Sequence, residues 1–309
     1  MHFVATLISA PGTHTLTDAL VRAAAGDLPF GRGPRWLSPS EAADIFFWPE
    51  DSDLPENGEE EEQIIRDFSS LLRECVKGAP VDCIVQRNDE HRRKKLFIAD
   101  MDSTMIGQEC IDELAAYVGR KDHVAAITER AMRGEIAFEP ALRERVALLK
   151  GLPASVADQV IAQNITLTPG GRTLVATMRA HGAYAALVSG GFTLFTRPIA
   201  ALLGFDEDRA NELVLAGDCL SGDVREPILG MQAKLDALLD LSGKRGVDTR
   251  AVLAAGDGAN DLAMLGAAGL GVAYYAKPAV AAAAQARIDH CDLTSLLFAQ
   301  GYQRGEFVE

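Results

Sequence analysis

Two aspartates one position apart, Asp100 and Asp102, close the apolar run in LFIADMDST. Aspartate is a poor strand residue and like charges held close together repel, so the pair needs some compensating gain. On an extended segment, side chains two apart point to the same side, which predicts both carboxylates in one crevice. Two acids placed there can divide the work, one as nucleophile and the other donating and then accepting a proton. In isolation, a capping aspartate and a spare turn aspartate explain the pair better. A second stretch, AAGDGANDLAML, puts Asp257 and Asp261 at the end of another apolar run, with Gly256 and Gly258 read as tight-turn residues. Four carboxylates converging from two strand ends carry too much charge without a cation. An oxygen-only set with no His or Cys nearby suits magnesium. LVSGGF adds the Ser189 hydroxyl and the backbone N–H groups of Gly190 and Gly191, which can approach an anion closely. MQAKLDALL adds Lys234, which alone reads as a surface lysine that snorkels.

These residues need elements to hold them. From Leu96 onward, apolar strand candidates at Leu96–Ala99, Ala183–Val188, Ala251–Ala255 and Leu270–Tyr274 alternate with helical patterns. That alternation predicts an α/β fold, a parallel sheet with helices on both faces. Between Glu109 and Leu167 the period is almost entirely helical, as in a small bundle. An insertion directly after the first strand lies at the carboxyl edge of the sheet, where such folds bind ligands, and is placed to act as a lid. Residues 1–85 mix short apolar runs with two helical segments and read as a separate small α+β unit. The acidic run Glu59–Glu62 suits the start of a helix. The polar stretch QRNDEHRRKK, residues 86–95, reads as a solvated connection.

Composition bounds the partners. The chain has 309 residues, 48% of them hydrophobic, enough for a proper core and more in keeping with two domains than one. A net charge of −14 argues against nucleic acid or an anionic membrane as the main partner, so any anionic ligand must be captured locally. Five cysteines without a Cys-x-x-Cys pair argue against a zinc site or a disulfide framework. With no basic signal region and no apolar run of membrane-spanning length, the expected location is the cytoplasm.

Taken in order, D-M-D-S-T, S-G-G, a helix lysine and G-D-G-A-N-D resemble the four motifs of the haloacid dehalogenase superfamily of phosphohydrolases, over about Leu96 to Gln300. Within it, the chain most resembles the phosphoserine phosphatase family. The resemblance implies a Rossmann-like core of residues 96–107 and 168–309 with a helical cap of residues 108–167. It implies Asp100 as nucleophile, forming an aspartyl phosphate, and Asp102 as general acid and base. It implies Mg2+ held by the Asp100 carboxylate, the Asp102 backbone carbonyl and Asp257, with Asp261 in support. Ser189, Gly190 and Lys234 would grip the phosphoryl oxygens, with Asn260 also at the phosphate.

For the substrate O-phosphoserine, the resemblance implies that Glu109 meets the ammonium, Arg145 meets the carboxylate and Phe138 walls off water. The chemistry agrees, since Glu accepts from an ammonium and Arg binds a carboxylate bidentately. Singly, a first-turn acid, a solvated arginine and a core phenylalanine would explain these three residues. The N-terminal unit resembles an ACT domain, a ferredoxin-like module that binds amino acids or mediates dimer contacts, and so allows a homodimer. Two alternatives remain: a phosphatase for phosphohomoserine, phosphothreonine or phosphoethanolamine, and a non-catalytic regulator that binds an amino acid. Phosphoethanolamine has no carboxylate for Arg145 to hold, and a regulator has no need of the full aspartate set.

Overall fold

The computed structural model describes residues 3–49, 58–132 and 135–309. The N-terminal unit runs β1 (Phe3–Ser9), α1 (Asp18–Gly26), β2 (Arg35–Ser38), β3 (Ala42–Phe47), α2 (Gly58–Cys75) and β4 (Val81–Arg87). Its antiparallel sheet has the order β2-β3-β1-β4, the ferredoxin-like β-α-β-β-α-β arrangement. Thr17 caps α1 through a hydrogen bond from the Leu20 N–H, and α2 opens on Glu59, Glu60 and Glu61. Every residue of β1 is buried, because both faces of this sheet are covered. Phe3, Ala5 and Leu7 pack among the unit's own apolar residues, while Ile8, Ala42 and Ile84 join the core of the rest of the chain.

The larger sheet contains β5 (Leu96–Ala99), β6 (Tyr184–Phe192) and β7 (Glu207–Asn211), followed later in the chain by β10 (Val252–Gly256), β11 (Leu270–Tyr274) and β12 (Ala286–Ile288). Its order is β12-β11-β10-β5-β6-β7, and every neighbouring pair is parallel. Side-chain alternation along β5 shows the two covered faces: Phe97 and Ala99 enter one apolar cluster, Leu96 and Ile98 the other. β5 comes first in sequence yet sits between β6 and β10. The chain therefore leaves it toward both halves of the sheet, opening a crevice at its carboxyl end.

Between β5 and β6 lie α3 (Cys110–Tyr117), α4 (Lys121–Met132), α5 (Phe138–Ala147), α6 (Val156–Gln163) and α7 (Gly171–Ala180). An antiparallel hairpin, β8 (Leu213–Ala216) and β9 (Cys219–Val224), reaches up to this helical insertion. Backbone bonds join the two: Gly151 N–H donates to the Leu220 carbonyl, and Leu220 N–H to the Leu152 carbonyl, both at 2.8 Å. The half-exposed edge strand β7 (EDRAN) carries no apolar run, which is why periodicity did not reveal it, whereas β8 (LVLA) carries one as long as that of β5 and went unread. After β9 come α9 (Met231–Arg245) and, beyond β10, α10 (Leu262–Ala267); α8 (Thr193–Leu203) follows β6. Among the described residues no helix is long and apolar enough to cross a membrane.

The segment 86–95 differs from its expected solvated state. Gln86, Arg92 and Lys94 are each about 95% buried, at 5%, 6% and 5% exposure. Arg92 forks onto both oxygens of Asp44 at 3.0 and 2.7 Å, and its Nε donates to the Ala299 carbonyl. The charges that read as solvation pair across the seam between the N-terminal unit and the core.

Candidate active site

Each strand end delivers its motif to the crevice beyond β5. Asp100 follows β5 directly, and the chain then turns through Met101–Ser103, with Ser103 at φ 56. Asp102 thus reaches the crevice by a turn and not, as predicted, by continuing the strand. Lys234 projects from α9 and is 2% exposed, so the surface reading of this lysine is overturned. Its Nζ lies 2.8 Å from Asp100 Oδ1 and 2.6 Å from Asp261 Oδ1, a buried cation between two buried carboxylates. Burial alone would lower the lysine pKa, but Asp100 and Asp261 raise it, so the amine stays charged. Asp100 is pushed well above the usual carboxylate range by burial and by Asp261, with Lys234 pulling the other way.

Asp100 Oδ1 also accepts from the Met101 N–H at 2.8 Å. Its second oxygen has no hydrogen bond from the described residues and remains available. Asp261 is engaged on both oxygens, by Lys234 and by the Gly258 N–H at 3.0 Å. Gly256 and Gly258 serve close approach and not tight turns, for neither has a positive φ. A Cβ on Gly256 would lie 2.4 Å from Asp261 Cγ, and one on Gly258 2.2 Å from Asn260 Oδ1.

Ligand oxygens of Asp100, Asp257 and Asp261 all fall within 4.8 Å of one another. Three carboxylates without a sulfur or imidazole suit a hard divalent cation. Asp257 is raised to about 6 by burial and by Asp261, a repulsion that a bound cation would reverse. Among the described residues its one direct bond, at 3.3 Å, comes from the Thr104 hydroxyl. The Asp102 side chain stands outside this triangle. Its Oδ1 accepts from the Cys110 N–H at 3.1 Å, at the start of α3, and burial together with Glu109 raises it to about 7.

A cavity of about 100 Å³ opens beside these groups, bounded by Asp100, Asp102, Glu109, Phe138, Arg145 and Ser189–Phe192. Catalytic and cap candidates from four separate parts of the chain therefore share one space. Arg145 is half-buried; its Nε donates to the Ala141 carbonyl and its Nη1 to the Thr128 hydroxyl, both at 3.2 Å. No carboxylate among the described residues forms an ion pair with it, whereas Arg143 on the same helix is paired with Glu226. Glu109 accepts from the Ser103 hydroxyl at 2.8 Å at the cavity mouth. Phe138 rests against Gly190, 3.5 Å from where a Cβ would stand, so the cap closes on the S-G-G segment through an aromatic edge. Asn260 sits on the turn after β10 against Gly258, and it does not line the cavity.

Sequence reading missed three supporting residues. Asn211, buried at the end of β7, donates to the carbonyls of Gly190 and Leu229 at 2.8 and 3.2 Å and fixes the S-G-G loop. Ser103 and Thr104 hold Glu109 and Asp257. The two hydroxyls stood in the motif itself and were a usable signal; Asn211 sits in a polar edge strand that offered none.

Residues 97–266 match the family model for haloacid dehalogenase-like hydrolases. A phosphoserine phosphatase of Mycobacterium tuberculosis is 46% identical over 215 residues, 70% of this chain, which spans only 52% of that protein's length. A HAD-family hydrolase from Salmonella enterica serovar Typhi superposes over 96% of this chain and 98% of its own, with a TM-score of 0.80 and 29% identity. A phosphoserine phosphatase solved as an analogue of its phospho-aspartyl intermediate covers 67% of this chain and 98% of its own, with a TM-score of 0.62 and 38% identity.

Proposed function

Because this chain belongs to the haloacid dehalogenase-like hydrolases, we propose that it hydrolyses O-phospho-L-serine to L-serine and phosphate with magnesium, through a phosphorylated Asp100. One observation carries the choice of substrate: Glu109 and an unpaired Arg145 face the same small cavity as Asp100 and Asp102. An acceptor for an ammonium and a donor for a carboxylate, set beside a phosphoryl site, describe a phosphorylated amino acid. The named relatives support the same reading.

In the first step the free oxygen of Asp100 attacks phosphorus and the bond from phosphorus to the serine oxygen breaks. Asp102 gives its proton to that oxygen as it leaves. A carboxyl held near 7 is substantially protonated at neutral pH, as a general acid must be. In the second step Asp102 takes a proton from water while the water oxygen attacks phosphorus, releasing phosphate and restoring Asp100. Lys234, Ser189 and the N–H of Gly190 offset charge on the phosphoryl oxygens, while the Gly191 N–H donates to Ser189 Oγ at 2.9 Å and holds that hydroxyl in place. Magnesium, held by Asp100, the Asp102 carbonyl and Asp257 with Asp261 in support, supplies Lewis-acid polarisation when bound.

The test is phosphate release from L-phosphoserine, phosphothreonine and phosphoethanolamine, with magnesium and with EDTA. Wild type prefers phosphoserine and needs the metal, and Asp100→Asn is inactive. Arg145→Ala raises KM for phosphoserine roughly 10- to 100-fold while sparing phosphoethanolamine, which has no carboxylate. Faster turnover of phosphoethanolamine by wild type refutes the assigned substrate and leaves the catalytic assignments standing.

A further inference from the structure

A second cavity is about four times the size of the one beside Asp100. About 400 Å³ of space lies at the seam between the N-terminal unit and the core, bounded by α2, the end of β4, the 86–95 segment and the loops before β10 and β11. In a chain of net charge −14, its wall carries five arginine and lysine residues against three aspartate and glutamate. Four of those cations have carboxylate partners: Arg66 with Glu62, Arg87 with Glu61, Arg92 with Asp44 and Arg250 with Asp248.

Lys94 is the exception. It is only 5% exposed, and among the described residues its Nζ has one direct bond, 2.8 Å to the Arg250 carbonyl. No carboxylate among the described residues lies within ion-pair distance. Burying an ammonium with two of its three donors unmet is unfavourable unless a partner arrives. Burial pulls this amine down to about 8, with Asp89 acting weakly in the opposite sense. A second group in the same wall shows the same lack: Arg87 Nε is buried with no hydrogen-bond partner, although its Nη2 meets Glu61. Two cationic side chains, one from each side of the seam, thus present unused donors to one roomy space.

We propose that this seam cavity binds a small oxyanion, a carboxylate or a phosphate, with Lys94 as its buried anchor and Arg87 as its second donor. The occupant would touch β4 of the N-terminal unit and the Thr249–Arg250 turn of the core at once. Binding there ties the two units together and needs no residue of the cavity beside Asp100.

Calorimetric titration of the full chain in EDTA, with sodium succinate and separately with inorganic phosphate, tests this. Wild type binds at least one, and which one responds distinguishes carboxylate from phosphate as the natural group. Affinity falls about tenfold or more in Lys94→Met and in Arg87→Gln, as expected when a charged hydrogen bond is lost. Lys94→Met removes a costly buried charge and keeps the volume, so it folds; Arg87 is one-third exposed and tolerates glutamine. Arg145→Ala retains succinate binding and Ser189→Ala retains phosphate binding, which places the site outside the substrate cavity. Absence of binding by either anion, undiminished binding in Lys94→Met, or loss of succinate binding in Arg145→Ala or of phosphate binding in Ser189→Ala overturns the proposal.

Discussion

Lys234→Met is the most informative single change, because the lysine separates two buried acids. Asp100 is 5% exposed and Asp261 fully buried, and both carboxylates lie within 2.8 Å of the amine. At an effective dielectric near 20, each contact has a gross Coulomb attraction of about 6 kcal/mol, most of it cancelled by desolvation. Breaking such an ion pair from one side typically costs about 3–5 kcal/mol, because the charges left behind remain buried. With two carboxylates stranded, the upper end of that range applies. Against a total stability of about 5–15 kcal/mol the variant is still expected to fold, with its Tm lowered by roughly 10–20 °C.

The sign of the pH dependence follows from the same charges. Burial and the Asp261 charge already raise Asp100, and without the amine nothing of comparable strength pulls it back, so Asp100 holds a proton in the folded state that it does not hold when unfolded; folding then binds a proton and stability falls as pH rises. The deficit relative to wild type therefore widens from pH 5 to pH 8. Adding Asp261→Asn removes one stranded charge and recovers part of the loss, a coupling of about 1–3 kcal/mol. Thermal and urea unfolding of Lys234→Met, Asp261→Asn, their combination and wild type in EDTA, at both pH values, measure all of this. A shift in Tm under about 2 °C, or a deficit equal at pH 5 and 8, would refute the account of Lys234 as the compensating charge.

Asp102→Asn is expected to be more stable than wild type at pH 8 in urea unfolding without metal, with the difference vanishing below about pH 4. The carboxyl is raised to about 7 in the fold, first by burial and then by Glu109, so the folded state binds the extra proton and loses stability as pH climbs from about 4 to 7. The same variant loses the general acid, so it gains stability while activity drops by about 10²–10⁴-fold. Gly256→Ala places a methyl 2.4 Å from Asp261 Cγ in a site with no room to yield. It is expected to cost about 3 kcal/mol or more in urea unfolding, with activity lost, whereas Gly266→Ala, with open space at its Cβ position, keeps both nearly intact.

The parallel sheet and the strand-end aspartates were legible because both are local signals. Leu96–Ala99 and Leu270–Tyr274 have the bounds their apolar runs predicted. The strand at 183–188 extends to Phe192 instead, since Asn211 of β7 re-pairs with the sheet beyond the irregularity between Val188 and Phe192. What could not be read was partnership. Arg143 and Arg145 stand two apart on one helix, and sequence alone gives no reason for one to meet Glu226 and the other to face a cavity. Lys234 looked like a snorkelling lysine because its partners are Asp100, 134 positions earlier, and Asp261, 27 positions later.

The seam shows the same limit with a different consequence. A stretch with five basic side chains, His91 to Lys95, has every compositional mark of solvent, yet Arg92 and Lys94 turn inward. Arg92 meets Asp44 of β3 and the carbonyl of Ala299, while Asp82 of β4 accepts the N–H groups of Asp289, His290 and Cys291 at 2.9–3.1 Å. A buried ion pair adds little net stability over an apolar contact, but leaving either member unpaired is costly. Such pairs therefore select one docked arrangement and penalise all others, which an apolar seam would not do. The N-terminal unit is set against the core by these directional contacts. That leaves Lys94, the one buried cation in the 86–95 segment without a carboxylate, as the group whose presence the docking itself does not explain.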